Sequence, residues 1–290
     1  MKKEKEKRTK RSKPAPAPQY YTSAVNIPVR NYEVYYLSAG EKILYFLLAF
    51  AAGGAVAYLF YGGVGKNEFG EATTVTWIWN VSIIMICGLI CGRVYLPIRA
   101  GQLMRKRKAA LANQFRDLLD ALSTLLGSGA NIQTAFFDAY DDLSMRYMEG
   151  EDILKELANI NAGIRRNIDI GALIRDFGNR SGIDDIKSFA DVFEICGRSG
   201  NYREVIRSTH HIISDKMAVE MDIETSMSAA KMEQNMMSVM PVILVALIKI
   251  SSPEFSANFS TVTGIISTTV AVILFVAAAL IAKAIMNIKV

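Results

Sequence analysis

Histidine is almost missing from this chain: His210 and His211 are the only two in 290 residues. Neighbours on a helix point about 100° apart, so the pair does not converge on one metal ion. Cysteine is equally scarce. Cys87, Cys91 and Cys196 are too few for a disulfide framework. Cys87 and Cys91 lie four apart in an apolar run with no histidine or carboxylate beside them, which leaves packing as their use. No Gly-x-Ser-x-Gly elbow, His-Glu-x-x-His pair or Cys-x-x-Cys pair occurs. The stretch GGVGKN, Gly62–Asn67, contains Gly-Lys but is not a phosphate loop. Phe60 stands where the first glycine belongs and Asn67 where the hydroxyl residue belongs. With no catalytic constellation left, the expectation is a protein without enzymatic turnover, cofactor or metal.

Charge is missing over long stretches. Ile43–Gly65 and Ala72–Gly92 carry none, and each exceeds the roughly 20 residues that cross a bilayer as helix. A second span follows the first almost at once, so the first is read as a span and not as a cleaved signal peptide. Met236–Ile250 is a third span despite Pro241 and despite Lys249, which can snorkel at a helix end. Val262–Ala282 is a fourth. Basic residues flank these spans on one side: Lys2–Arg8 before the first, Arg93, Arg99 and the cluster Arg105, Lys106, Arg107 and Lys108 after the second, and Lys283 and Lys289 after the fourth. The other side has only Lys66 and, at its edge, Lys249. The positive-inside rule therefore predicts both termini and the large middle segment in the cytoplasm of a multi-pass protein of the cell membrane. The Arg105–Lys108 cluster is expected at the lipid surface.

The remaining charge is uneven. Residues 1–30 hold nine Lys/Arg against two Glu, whereas 109–233 hold 13 against 21 Asp/Glu, a net of −8. A middle segment of that sign repels phosphate backbones and excludes nucleic acid as a partner. The predicted organisation is a basic arm over 1–41, two spans over 42–98, a cytoplasmic domain over 99–235, and two spans with a short tail over 236–290. Pro14, Pro16, Pro18 and Pro28 make the arm read as disordered and facing lipid or a partner.

What is present in the middle segment is helical periodicity and no β-type alternation of any length. Leu111, Phe115, Leu118, Leu119, Leu122, Leu125 and Leu126 form one apolar stripe. Ile132, Phe136, Ala139, Tyr140, Leu143 and Tyr147 form a second, and Ile153, Leu157, Ile160 and Ile164 a third. A short fourth runs through Ile170, Leu173, Ile174 and Phe177, and a fifth through Ile186, Phe189, Ala190, Phe193 and Cys196. A sixth helix, from about Tyr202 to Glu233, is long enough to run on into the third span. The predicted fold class is all-α: four transmembrane helices with a cytoplasmic antiparallel six-helix bundle.

The turn in EICGRSGNYREVI, Glu194–Ile206, fits that bundle. Gly197 follows the fifth stripe where a helix end favours glycine, Gly200 follows, and Ser199 or Asn201 can cap the next helix. Gly127, Gly129 and Asn131 repeat the arrangement between the first two helices. Without a preceding strand or a Gly-Lys-Ser/Thr ending, this is a helical hairpin and not a nucleotide site. Among paired acids, Glu151–Asp152 and Asp184–Asp185 fall in first turns, where the helix dipole favours them. Asp141 and Asp142 fall late in a helix, where that argument fails, and are candidates for a partner-facing surface.

These segments, in this order, resemble the Tad (tight adherence) pilus platform proteins of the type II secretion F-domain family, over Asn113 to about Leu247. QFRDLLDALSTLLGSGANIQTAF, Gln114–Phe136, is similar to the family's opening hairpin, and DIGALIRDFGNRSG, Asp169–Gly182, to its short helix. Glu194, Gly197, Gly200, Asn201, Glu204 and Val205 match its Glu-x-Gly-Gly-Asn-Leu-x-Glu-Val-Leu segment, with Cys196 and Arg198 enlarging the turn. The ending KAIMNIKV is similar to the TadB-like branch more than to its TadC-like sister. The resemblance implies a membrane platform that contacts a hexameric secretion ATPase and helps lift pilin subunits from the bilayer. It also implies a second F domain, from self-association or a TadC-like paralogue. Glu194 and Glu204 join Asp141 and Asp142 as candidate partner contacts. Two other functions share the membrane frame: a helical signalling adaptor, and a small transporter, against which stands the lack of ionisable residues in the span interiors, where Asn80 is the main polar group.

Overall fold

A computed structural model describes residues 17–23, 25–64, 72–197, 200–252, 258–259 and 261–286. Among the described residues two short strands, β1 (Tyr20–Thr22) and β2 (Pro28–Arg30), precede eight helices: α1 (Ala39–Tyr61), α2 (Thr74–Gly127), α3 (Ile132–Arg146), α4 (Asp152–Arg165), α5 (Ile170–Ser181), α6 (Asp184–Gly197), α7 (Tyr202–Ser251) and α8 (Val262–Met286). Helices α1, α2, α7 and α8 are long and apolar enough to cross a membrane, the architecture of a multi-pass membrane protein. The chain divides into two compact units: residues 1–36 with 104–207, and residues 37–103 with 208–290. Helices α2 and α7 each contribute to both. All but the first turn and a half of α7 therefore belongs to the second unit, where the sequence pattern assigns 202–233 to the bundle.

The first unit is an aqueous-type core. Leu111, Phe115, Leu119 and Leu122 of α2 are buried, as are Phe136 and Leu143 of α3, Ile153, Leu157 and Ile160 of α4, Leu173 and Phe177 of α5, and Ile186, Phe189 and Phe193 of α6. These are the predicted stripes. A chain of rings links the elements: Phe177 to Phe115 with centroids 6.2 Å apart, Phe115 to Phe189 and Phe189 to Phe193 at 5.4 Å, and Phe193 to Tyr202 at 4.9 Å. Edge-to-face and tilted pairs at such spacings add to simple burial.

Within the arm expected over 1–41, two strands stand at Tyr20–Thr22 and Pro28–Arg30; residues 1–16 and Ala24 lie outside the described residues. β1 and β2 pair antiparallel, Tyr20 opposite Arg30 and Thr22 opposite Pro28. The Ser23 hydroxyl accepts the N–H groups of Val25 and Ile27 and closes the turn. Val25, Val29 and Tyr32 are buried. Three-residue strands are too short to show period-2 alternation, which is why the sequence pattern hides them.

The second unit packs differently, as close approach through glycine. A Cβ added at Gly53 of α1 would lie 2.7 Å from Cβ and Sγ of Cys91 on α2. Reciprocally, a Cβ at Gly88 or Gly92 of α2 would lie 2.7 or 2.6 Å from the rings of Phe50 and Phe46 on α1. Between apolar surfaces in lipid no hydrophobic gain drives helices together, so van der Waals contact through small residues does. This assigns Cys91 its packing role. The hairpin is closed at one end by polar groups: Asn80 Oδ1 accepts the Gly63 N–H at 3.0 Å, and the Trp79 indole donates to the Tyr61 carbonyl at 3.2 Å. Substituting Gly53→Val should destabilise the α1–α2 pair by about 1–3 kcal/mol, the cost typical of overpacking. Gly88→Leu should do the same and be partly rescued by Phe50→Ala. Thermal unfolding of the detergent-solubilised chain measures both; additive losses in the Gly88→Leu/Phe50→Ala pair would deny the contact.

Candidate partner-facing surface

The predicted turn residues sit at helix ends. Gly127 closes α2 and Gly129 has φ +97°, the left-handed region that glycine enters without a Cβ penalty. That turn lets the Gly129 and Ala130 N–H groups donate back to the Leu126 and Leu125 carbonyls at 3.2 and 3.1 Å. Asn131 then caps α3, its Oδ1 accepting the Thr134 N–H at 2.8 Å. Gly197 ends α6 and Gly200 has φ +75°; Arg198 and Ser199 of that turn lie outside the described residues. Asn201 directly precedes α7, and its amide donates to the Glu204 carboxylate at 2.7 Å.

The candidate contact acids do not form one site. Asp141 and Asp142 lie near the end of α3; Asp141 is exposed, and Asp142 pairs with Arg146 one turn on at 3.5 Å. Glu194 of α6 is ion-paired with Arg175 of α5. Glu204 is held by Asn201. Among the described residues no hydrogen bond or ion pair joins the α3 acids to either glutamate. Of these four acids only Asp141 is exposed with no side-chain partner among the described residues, and the α3 tip carries a feature that charge alone does not show. Met145 and Met148 beside it are 85% and 83% exposed. Two exposed, flexible thioether side chains close in sequence to Asp141 offer an adaptable apolar contact.

The basic cluster also divides. Arg105 and Lys106 are exposed. Arg107 turns inward, its guanidinium carbon 4.7 Å from the Tyr35 ring centroid and its Nε 3.6 Å from Asp152 Oδ2. Lys108 donates to the Gly182 carbonyl at 2.8 Å. Half of the predicted lipid-surface cluster is therefore committed to the fold of the first unit.

Sequence reasoning missed the polar centre of this unit. Glu156 of α4 and Arg180 of α5 are 3% and 5% exposed. Two bonds join them, Arg180 Nη1 to Glu156 Oε1 at 3.0 Å and Nη2 to Oε2 at 2.8 Å. Arg180 Nε donates to Asp176 at 2.9 Å, and its Nη1 also reaches the Arg30 carbonyl at 3.0 Å. The Tyr32 hydroxyl donates to Glu156 Oε1 at 2.9 Å, and the Tyr32 N–H donates to the Arg180 carbonyl at 3.0 Å. Arg30 completes the attachment of the hairpin with a 2.7 Å bond to Asp152. Burial alone would lower the Arg180 pKa, but the hydrogen bonds and charges of Glu156 and Asp176 outweigh it and hold the guanidinium charged above its ordinary value. Burial first, and then the Glu156 charge, pushes the Tyr32 phenol up. The one signal available was Glu156 lying on the apolar face between Ile153 and Ile160.

Breaking this centre from one side should be costly. Arg180→Met leaves Glu156 buried without its counter-charge and should destabilise the unit by about 3–5 kcal/mol. Adding Glu156→Leu should restore most of the loss, as read by denaturant unfolding followed in near-ultraviolet circular dichroism.

A second prediction concerns Tyr147, whose hydroxyl donates to Asp117 at 2.6 Å. Burial, then that hydrogen bond and the Asp117 charge, push its pKa up from 10.0 to about 12. The folded state thus holds a proton that the unfolded chain releases near pH 10. The contribution to stability is complete below pH 10 and is lost as pH rises from 10 to about 12. Tyr147→Phe should make the melting midpoint fall less steeply across that window, with Tyr32 still contributing in the same direction.

Comparison with protein-family models, with curated proteins and with solved structures finds none that matches this chain.

Proposed function

We propose that this chain is the membrane platform of a Tad or type IV pilus-like, or type II secretion-like, assembly machine. In this reading, the helices from the second half of α2 through the first half of α7 form the six-helix F domain in the cytoplasm. They couple a hexameric secretion ATPase to the extraction of pilin subunits and fibre assembly. A second copy, or a TadC-like paralogue, completes the platform. The role is mechanical, with no turnover by the chain itself.

The observation that carries the proposal is the exposed tip of α3. Asp141 is exposed, Asp142 is paired with Arg146 one turn on, and Met145 and Met148 stand exposed close by in the sequence, in a chain with four helices apolar enough to span a membrane. Such a surface suits a basic, partly apolar partner, with charge guiding the encounter and methionine adapting at the contact. The helix order and the glycine turns at Gly129 and Gly200 support the resemblance described above.

Reversing both charges, Asp141→Lys with Asp142→Lys, should weaken co-purification of the secretion ATPase about tenfold or more. Deleting the gene should remove surface fibres in electron micrographs. Unchanged ATPase recovery would take these residues out of the contact, and fibres persisting in the deletion strain would overturn the platform reading itself.

A further inference from the structure

A cleft of about 1080 Å³ opens within the second unit, and all four spanning helices line it. Its walls run from Leu48 to Tyr61 on α1 and from Cys87 to Ile98 on α2, with Pro241 to Val245 on α7 and Ala271 to Val276 on α8 completing them. No lining side chain is charged. The Tyr61 hydroxyl is already spoken for, donating to Thr269 at 3.2 Å. Such a wall offers a polar occupant almost nothing, whereas an apolar one gains dispersion contacts along the whole length.

Length selects among apolar occupants. Leu48 to Tyr61 spans 13 residue steps of α1, about 20 Å at about 1.5 Å per residue. The α2 wall, 11 steps, is about 16 Å. One leaflet of hydrocarbon is about 15 Å deep, half of the roughly 30 Å core. An acyl chain fits that depth. A partner's spanning helix needs the full 30 Å or so and would overhang the cleft at one end.

Charge then selects the headgroup. Tyr45 precedes Leu48 by three residues and Ala49 by four, so it continues the α1 wall. Arg99 follows Tyr95 by four and continues the α2 wall. The two side chains meet beyond the cleft's end, the Arg99 guanidinium carbon 5.1 Å from the Tyr45 ring centroid. Nη1 of Arg99 donates to Gln102 at 3.1 Å, while its Nε is shielded from solvent without a hydrogen-bond partner. Lys42, exposed one turn before Tyr45, adds a second positive charge at that end. The far end, at Phe60 and Tyr61, is aromatic.

We propose that this cleft is a binding site for one anionic phospholipid. Its acyl chains lie along Leu48, Ala52 and Val56 of α1 and Val94 of α2, and its phosphate is held by Arg99 and Lys42. This site is distinct from the Arg105–Lys108 cluster and does not depend on the platform reading, because the spanning helices alone carry it. A neutral lipid would use the apolar wall and leave Arg99 idle.

The test uses the full chain, purified in detergent and stripped of lipid, then titrated with palmitoyl-oleoyl phosphatidylglycerol or the matching phosphatidylcholine. Native mass spectrometry counts retained lipid, and the melting midpoint certifies the fold of each variant. One phosphatidylglycerol should be retained, preferred over phosphatidylcholine by about fivefold or more. Arg99→Gln should remove about fivefold of that preference and leave phosphatidylcholine unchanged. Ala52→Phe, or Val245→Phe from a different helix, should lower retention of both lipids. Equal retention of the two lipids, or an Arg99→Gln chain that keeps its preference, overturns the headgroup assignment. Undiminished retention in either blocking variant that keeps its fold overturns the cleft as the site. A photo-cross-link from Val94→Cys, labelled in native membranes, that captures a protein and no lipid assigns the cleft to a partner helix and overturns the proposal.

Discussion

Hydrocarbon has no water to satisfy a peptide group, and this governs the chain's shape. Every backbone N–H and C=O within the bilayer must be bonded inside its own helix or at a protein surface. Two helices here, α2 with 54 residues and α7 with 50, run several times the length usual in soluble domains. Pro97 and Pro241 sit inside them. Each removes an N–H from the ladder, and Pro241 does so at the wall of the apolar cleft. At the connection between α1 and α2 the same demand is met by side chains. Asn80, the main polar group of the span interiors, takes up a backbone N–H at the end of α1. The side chain of Asn80 is thus accounted for as a cap.

The two units obey different rules because their surroundings differ. In the second, contact comes from glycine on one helix admitting a ring or thiol from the other, at Gly53, Gly88 and Gly92. In the first, water is the reference, and burial of leucine, isoleucine and phenylalanine supplies the drive. Set in that apolar core, the Glu156–Arg180 pair adds little net stability against a hydrophobic replacement. What it offers is position. Its lone pairs and N–H groups are shared with Tyr32, Asp176 and the Arg30 carbonyl, so α4, α5 and the N-terminal hairpin are held in one arrangement. The α3 tip with its two methionines remains outside this network.

Much of the architecture was legible. The charge-free runs announced the spans, and the apolar stripes announced α2 to α6 almost residue by residue, from Leu111 to Phe193. Asn131 was legible as a cap because the chemistry of a helix start is local. The candidate site was legible only in part. Asp141 is exposed, whereas Glu194 and Glu204 are paired within the fold. Arg107 and Lys108 look like surface charge beside a span, and each is held inside by a partner far along the chain. Long-range pairing leaves no periodic trace for a local reading to find.

The chain's own order of residues therefore determined where it is helix, where helices stop and which stretches suit hydrocarbon. Those outcomes rest on interactions within a turn or two and on solvent preference summed over about 20 residues. Only the tertiary structure decided that residues 20–36 fold onto the first unit, that Glu156 faces Arg180, and that four spans leave a cleft ending at Arg99. Each of these depends on which helix faces meet. That choice is made by packing between segments up to some 200 residues apart, as between Tyr61 and Thr269.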